Sequence, residues 1–161
     1  AGDSTLLGGV DQIQYFNAVV TAGQFDRLDL PSTTIGANGS VNGTDVGIIK
    51  SHNISNGMIR FDSVNQSFTT AIVVNNTNLA DVNNYLAMNI ASGTTVGFYV
   101  DANNNGNYTD FGDYLRIFQG GAVAAGTAST DDLFVDIFTT SGLGGVIAIS
   151  TAAAANTVVI M

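Results

Sequence analysis

Glutamate, cysteine and tryptophan are absent from this chain of 161 residues, and proline occurs once, at Pro31. Without cysteine there are no disulfides and no thiolate metal sites. Basic residues are nearly missing too, with only Arg27, Lys50, Arg60 and Arg116 against 13 acids, all of them Asp. A net charge of −9 argues against nucleic-acid binding, which needs clustered Lys or Arg to neutralise phosphates. The same charge is repelled by anionic lipid surfaces. No apolar run approaches the roughly 20 residues that span a bilayer. Scarce Glu and Lys also remove the residues that usually clothe helix surfaces.

What is present points to strands and turns: abundant Gly, Asn, Thr, Val and Ile in one continuous texture. A single domain is the simplest reading, long enough to bury roughly 70% of its unfolded surface without covalent staples. Short runs alternate with period two between Gly, Asn and Asp. Val46–Lys50 reads as one strand and Met58–Asp62 as the next, with Ser55-Asn56-Gly57 supplying the turn. Ser67–Asn75 reads as a strand with Phe68, Thr70, Ile72 and Val74 on one face. Val96, Phe98 and Val100 share a face of another, whose hairpin partner holds Leu115 and Ile117. Leu133, Val135 and Ile137 alternate before a Gly-rich turn at 141–145. Val146–Thr151 returns, and Thr157–Met161 suits a buried final strand. Leu79, Val82 and Leu86 fall at helical spacing behind Asn78, a fitting N-cap, with Asp81 in the first turn. The expected fold is all-β: a jelly-roll-type β-sandwich with one short helix.

Residues 1–13 are expected to form a donor strand or N-terminal extension, and residues 14–161 the sandwich. A sandwich lacking one strand exposes a groove that an extended segment of a neighbour can fill, and such head-to-tail contacts generate fibres when the rotation does not close. An ordinary terminus or an intramolecular edge strand is the competing reading. The chain begins at Ala1 rather than Met, which fits a mature exported form.

The stretch from Phe16 through Ala22-Gly23 to Leu28-Asp29-Leu30 resembles the early motif of the TasA/camelysin family. There a strand leads into a small-Gly turn and then a Leu-Asp-Leu strand. Archaeal bundling pilins share that architecture. Phe25-Asp26-Arg27 stands here as an insertion between the Gly and the Leu-Asp-Leu, and the poverty in Lys and Glu favours an archaeal relative. The resemblance implies a jelly-roll subunit completed by a donated N-terminal strand, with Leu6, Leu7, Val10 and Ile13 as the side chains that would plug the next subunit.

The sharpest local pattern is the run from Asp101 to Asp113. Alternate oxygen-bearing side chains before Gly106 match the first half of a calcium loop, offering Asp101, Asn103, Asn105, Asp110 and Asp113 with the Asn107 carbonyl. The second half departs, because Gly112 stands where the bidentate Glu would be. A structural Ca²⁺ site and a polar hairpin turn that binds nothing both remain open; calcium is taken as the expectation. Six Asn-x-Ser/Thr sequons, at Asn38, Asn42, Asn53, Asn65, Asn75 and Asn107, sit in or beside expected turns or strand ends and could carry N-glycans.

Little supports catalysis. His52 is the one histidine, so a His-rich zinc site is excluded, and Ser51-His52-Asn53 reads as a surface turn. Asp131-Asp132 reads as a solvated loop rather than a glycosidase pair. The expected function is therefore non-enzymatic. We read the chain as a secreted, extracellular or cell-surface structural subunit of a pilus-like, biofilm-associated filament, partnered by itself in a head-to-tail homopolymer. The alternatives are a monomeric calcium-stabilised carbohydrate-binding or adhesin module, whose usual row of surface Trp is missing, and a viral or S-layer shell subunit.

Overall fold

The computed structural model describes residues 10–14, 27–30, 33–69, 71–108, 110–122, 131–138, 149–151 and 157–160. Among them the chain is β-rich with one helix, the class expected from sequence. Two hairpins begin the larger sheet. β4 (Gly39–Val46) pairs with β5 (Ile49–Ser55), and β5 with β6 (Met58–Asp62). The expected strand Val46–Lys50 is instead the corner between β4 and β5. Gly47 turns there at φ 54°, a conformation glycine adopts without steric cost. The next corner is as expected: Asn56 and Gly57 at φ 51° and 74° make the two-residue turn that Asn-Gly favours.

β8 (Thr94–Val100), β9 (Tyr114–Gln119) and β10 (Leu133–Ile137) form the antiparallel centre. β1 (Asp11–Ile13) lies parallel to β10 on its outer side, so the sheet runs β1-β10-β9-β8-β6-β5-β4. β6 meets β8 in parallel at one residue pair, Met58 and Gly97, and then diverges. Beside this split β3 (Thr34–Ile35) pairs with β8, and β7 (Ala71–Ile72) with β6. A smaller sheet joins β11 (Ile149–Thr151), β12 (Thr157–Ile160) and β2 (Arg27–Asp29).

Period-two alternation decides the layering. Along β9, Tyr114 and Phe118 point into one apolar cluster while Leu115 and Ile117 point into another. The first cluster sits under helix α1 (Leu79–Asn89), where Val82, Tyr85 and Leu86 cover Phe61, Phe98, Phe118 and Phe134. The second joins β9 and β10 to the small sheet through Leu28, Leu30 and Ile149. Each buried aliphatic or aromatic side chain contributes about 1.5–3 kcal/mol of burial free energy. All six residues of β9 are buried, so its two polar members, Arg116 and Gln119, need bonded partners: Asp136 for the first, Thr33 and Thr95 for the second.

The expected strand over Ser67–Asn75 shrinks to β7. Asp62, buried at the end of β6, accepts hydrogen bonds from the Val64 and Phe68 amides and the Ser67 hydroxyl. These curl the chain into a loop in which Gln66 and Phe68 take positive φ. Burial alone would raise the Asp62 carboxyl, but the bonds from Phe68, Ser67, Val64 and Ser63 outweigh it and hold it below its ordinary value.

Candidate functional site

Three features marked out by sequence can now be located: the N-terminal segment, the Asp101–Asp113 loop and the sequons. Leu6 and Leu7 lie outside the described residues, as do Pro31, the turn at 141–145 and most of the Phe16–Leu30 motif. Val10 and Ile13 are described. In the isolated chain Asp11, Gln12 and Ile13 pair in parallel with Val135, Asp136 and Ile137, and the Phe138 amide donates to the Ile13 carbonyl at 2.9 Å. Val10 packs on the first cluster and Ile13 on the second, each half-buried. In the single chain β1 lies in its own sheet, where the edge of β10 offers it backbone partners and apolar seats on both faces.

The Asp-rich loop joins β8 to β9 and is knit by its own side chains. Asp101, fully buried, accepts the Asn105 and Gly106 amides at 3.1 and 2.8 Å. Asn103 and Asn105 donate their side-chain amides to the two oxygens of Asp110, at 2.8 and 2.7 Å. Asn107 adds a longer bond to Asp110, and its own amide donates to the Asn105 side chain. Asp113 accepts the Ala102 and Asp110 amides. Bonds from Asn105 and Asn103 hold the Asp110 carboxyl below its ordinary value, whereas burial, then Asp110, pushes Asp113 up. Among the described residues no group of three or more His or Asp side chains is arranged to hold a metal ion. For the loop to take calcium, Asn103 and Asn105 would have to turn their carbonyl oxygens where their NH₂ groups now point.

The sequons fall into two kinds. Asn38, Asn42 and Asn65 are exposed. Asn53 and Asn75 spend their side-chain nitrogens on Gly39 and Ser40, and on Asn104, while Asn107 is tied to Asp110. Asn42 and Asn53 lie inside β4 and β5 rather than at turns, because the polar alternation of these strands faces solvent on one side.

Sequence reasoning missed the buried polar groups. His52 is not a surface residue: it sits mid-strand in β5, 2% exposed, with Nδ1 3.0 Å from the Tyr85 hydroxyl. Burial lowers its pKa and pushes Tyr85 up to about 12. Asp132 is buried too, accepting the Gly121 amide at 2.9 Å, so only Asp131 is solvated. Arg116 and Asp136 form a salt bridge with both side chains 5% exposed. A single charge in each of two alternating strands, opposite Leu115, Ile117, Val135 and Ile137 but beside the aromatics Tyr114, Phe118 and Phe134, was the available signal. No family model, no curated protein and no solved structure matches this chain. The functional reading therefore stands on its residues. No described helix is long and apolar enough to cross a membrane.

Proposed function

We propose that this chain is a secreted structural subunit of an extracellular filament, polymerising head to tail by exchanging its first strand, and not an enzyme. The observation that carries the reading is the placement of β1. It is a three-residue strand on the rim of the sheet, parallel to β10; Ile13 within it packs on one cluster and Val10 just before it on the other. The same seat can be filled by residues 10–13 of a second copy with the same contacts. Exchange then leaves pairing energy nearly unchanged, and high local concentration favours the intermolecular form. A copy that gives its strand to one neighbour and receives from another makes a head-to-tail contact, which extends into a filament when the rotation does not close.

In this reading Leu6 and Leu7 extend the donated strand, and a jelly-roll-type sandwich is complete only with its neighbour's strand. Exposed sequons at Asn38, Asn42 and Asn65 are where glycans fit a surface of this kind, and the Asp101–Asp113 loop is where a structural calcium would be taken. Because the chain lacks cysteine, exchange can be trapped directly. Chains carrying Asp11→Cys are mixed with chains carrying Val135→Cys and oxidised. Strand exchange gives a disulfide-linked heterodimer and a deletion of residues 1–12 abolishes filaments in negative stain. Filaments formed by the truncated chain would refute the proposal.

A further inference from the structure

Where β6 parts from β8, a half-open cavity of about 490 Å³ remains. β6, β7 and β8 bound it on three sides, so it accepts a compact molecule more readily than an extended strand. Its size falls within the range of small-ligand sites. Met58, Ile72 and Val73 give it apolar walls, and the polar groups are few and grouped.

Arg60 is the first of these. Of the cationic side chains described, Lys50 pairs with Asp45 and Arg116 with Asp136, while Arg60 has no carboxylate among the described residues at ion-pair distance. Its guanidinium lies 5.3 Å from the centre of the Phe68 ring, which orients the fork without neutralising it. In a chain of net charge −9, a guanidinium with no described acid beside it, at the lip of a cavity, is a fitting seat for an incoming anion. Tyr99 and Tyr108 are the second group. Their rings stack with centroids 5.3 Å apart and planes 22° from parallel, and neither hydroxyl bonds to a described residue. Burial, and then Tyr108, pushes the Tyr99 hydroxyl up to about 12, so it remains a donor. Asn53 and Ser55 complete the set. The Asn53 nitrogen is committed to Gly39 and Ser40, which fixes the amide and leaves its oxygen as an acceptor.

We infer that this cavity binds a carboxylated pyranose, a uronic acid residue of an acidic polysaccharide. The Arg60 fork matches a carboxylate with two parallel hydrogen bonds. A tyrosine face suits the C–H face of a sugar ring, and the Asn53 oxygen, Ser55 hydroxyl and Tyr99 hydroxyl suit its hydroxyls. This site is independent of the filament reading, since it uses no residue of β1 or β10.

The test is a calorimetric or NMR titration of the full chain with glucuronate, glucose and acetate. Glucuronate should bind at least tenfold more tightly than either of the others. Arg60→Gln and Tyr108→Ala should each weaken it at least tenfold, and Arg60→Lys, which keeps the charge and loses the fork, should fall between. Arg60 is exposed, so its variants should melt with the parent; Arg60→Lys serves if Arg60→Gln does not fold. Glucuronate binding no tighter than acetate would overturn the inference, as would unchanged binding by Arg60→Gln. A change in sedimentation of Arg60→Gln with glucuronate binding intact would assign the arginine to contact with an acidic side chain of a second copy, and would overturn it equally.

Discussion

Arg116 and Asp136 face one another across β9 and β10 and share two hydrogen bonds, of 2.6 and 2.8 Å, beneath helix α1. The guanidinium lies 5.6 Å from the centres of both the Tyr114 and Phe134 rings, and Asn83 accepts a third, longer bond. Burial pushes the Asp136 carboxyl above its ordinary value, and Arg116 offsets part of that. A buried pair of this kind adds little net stability, but breaking it strands a charge. Asp136→Ala should therefore lower unfolding free energy by about 3–5 kcal/mol in urea melts. The double variant Arg116→Met, Asp136→Leu should recover most of it. Equal losses in single and double variants would contradict the stranded-charge account.

His52 predicts an acid weakness. Its pKa is lowered in the folded chain by burial, so below the ordinary value of 6.5 the unfolded chain binds a proton that the folded chain resists. The contribution is present above about pH 6.5 and is lost as pH falls through the depressed folded value. Tyr85 faces the ring and remains a neutral hydroxyl throughout. Thermal melts between pH 7.5 and 5 should show falling stability, and His52→Gln should flatten that slope. A His52→Gln slope equal to the parent's would assign the acid sensitivity to the carboxylates.

Gly57 should be far less replaceable than Gly106, although both have positive φ, at 74° and 85°. A Cβ on Gly106 meets nothing, whereas one on Gly57 would lie 2.8 Å from the Ile149 carbonyl oxygen and against its side chain. The same corner holds the two sheets together, since the Ile149 amide donates to the Asn56 carbonyl at 3.0 Å. Gly106→Ala should cost about 1 kcal/mol for backbone strain alone, and Gly57→Ala about 2 kcal/mol or more. Indistinguishable urea midpoints would remove the steric part of the argument.

The calcium proposal for the Asp101–Asp113 loop predicts a higher melting temperature in 1 mM calcium than in chelator, by a few degrees for about 1 kcal/mol of linkage. Asp110→Asn should abolish the difference. Equal melting temperatures with calcium and with chelator would leave the loop as the self-bonded turn its hydrogen bonds already describe.

Elements whose cause is local were legible. The Asn56-Gly57 turn, the helix behind Asn78, and the alternation of Val96, Phe98 and Val100 all follow from adjacent residues. The N-cap was right in place but not in means: the Asn78 side chain bonds to Asn75 and Val73 rather than to its helix. What escaped the sequence depends on partners far along the chain. Ser51-His52-Asn53 looks like a wet turn until Tyr85, 33 positions on, supplies the hydroxyl that lets His52 be buried. The pattern over Ser67–Asn75 is that of a strand, yet the Asp62 carboxylate takes the Phe68 amide and the Ser67 hydroxyl and curls its first residues into a loop. β1 found β10 across more than a hundred residues, and nothing in a three-residue run announces a parallel neighbour.

β9 is flanked by strands and covered on both faces, so water cannot reach it until a neighbour has been dismantled. Disassembly must start at the rims, β1 on one side and β4 on the other. If the outermost ribbon is traded as proposed, the six buried residues of β9 stay dry, and only the seats of Val10 and Ile13 have to be refilled.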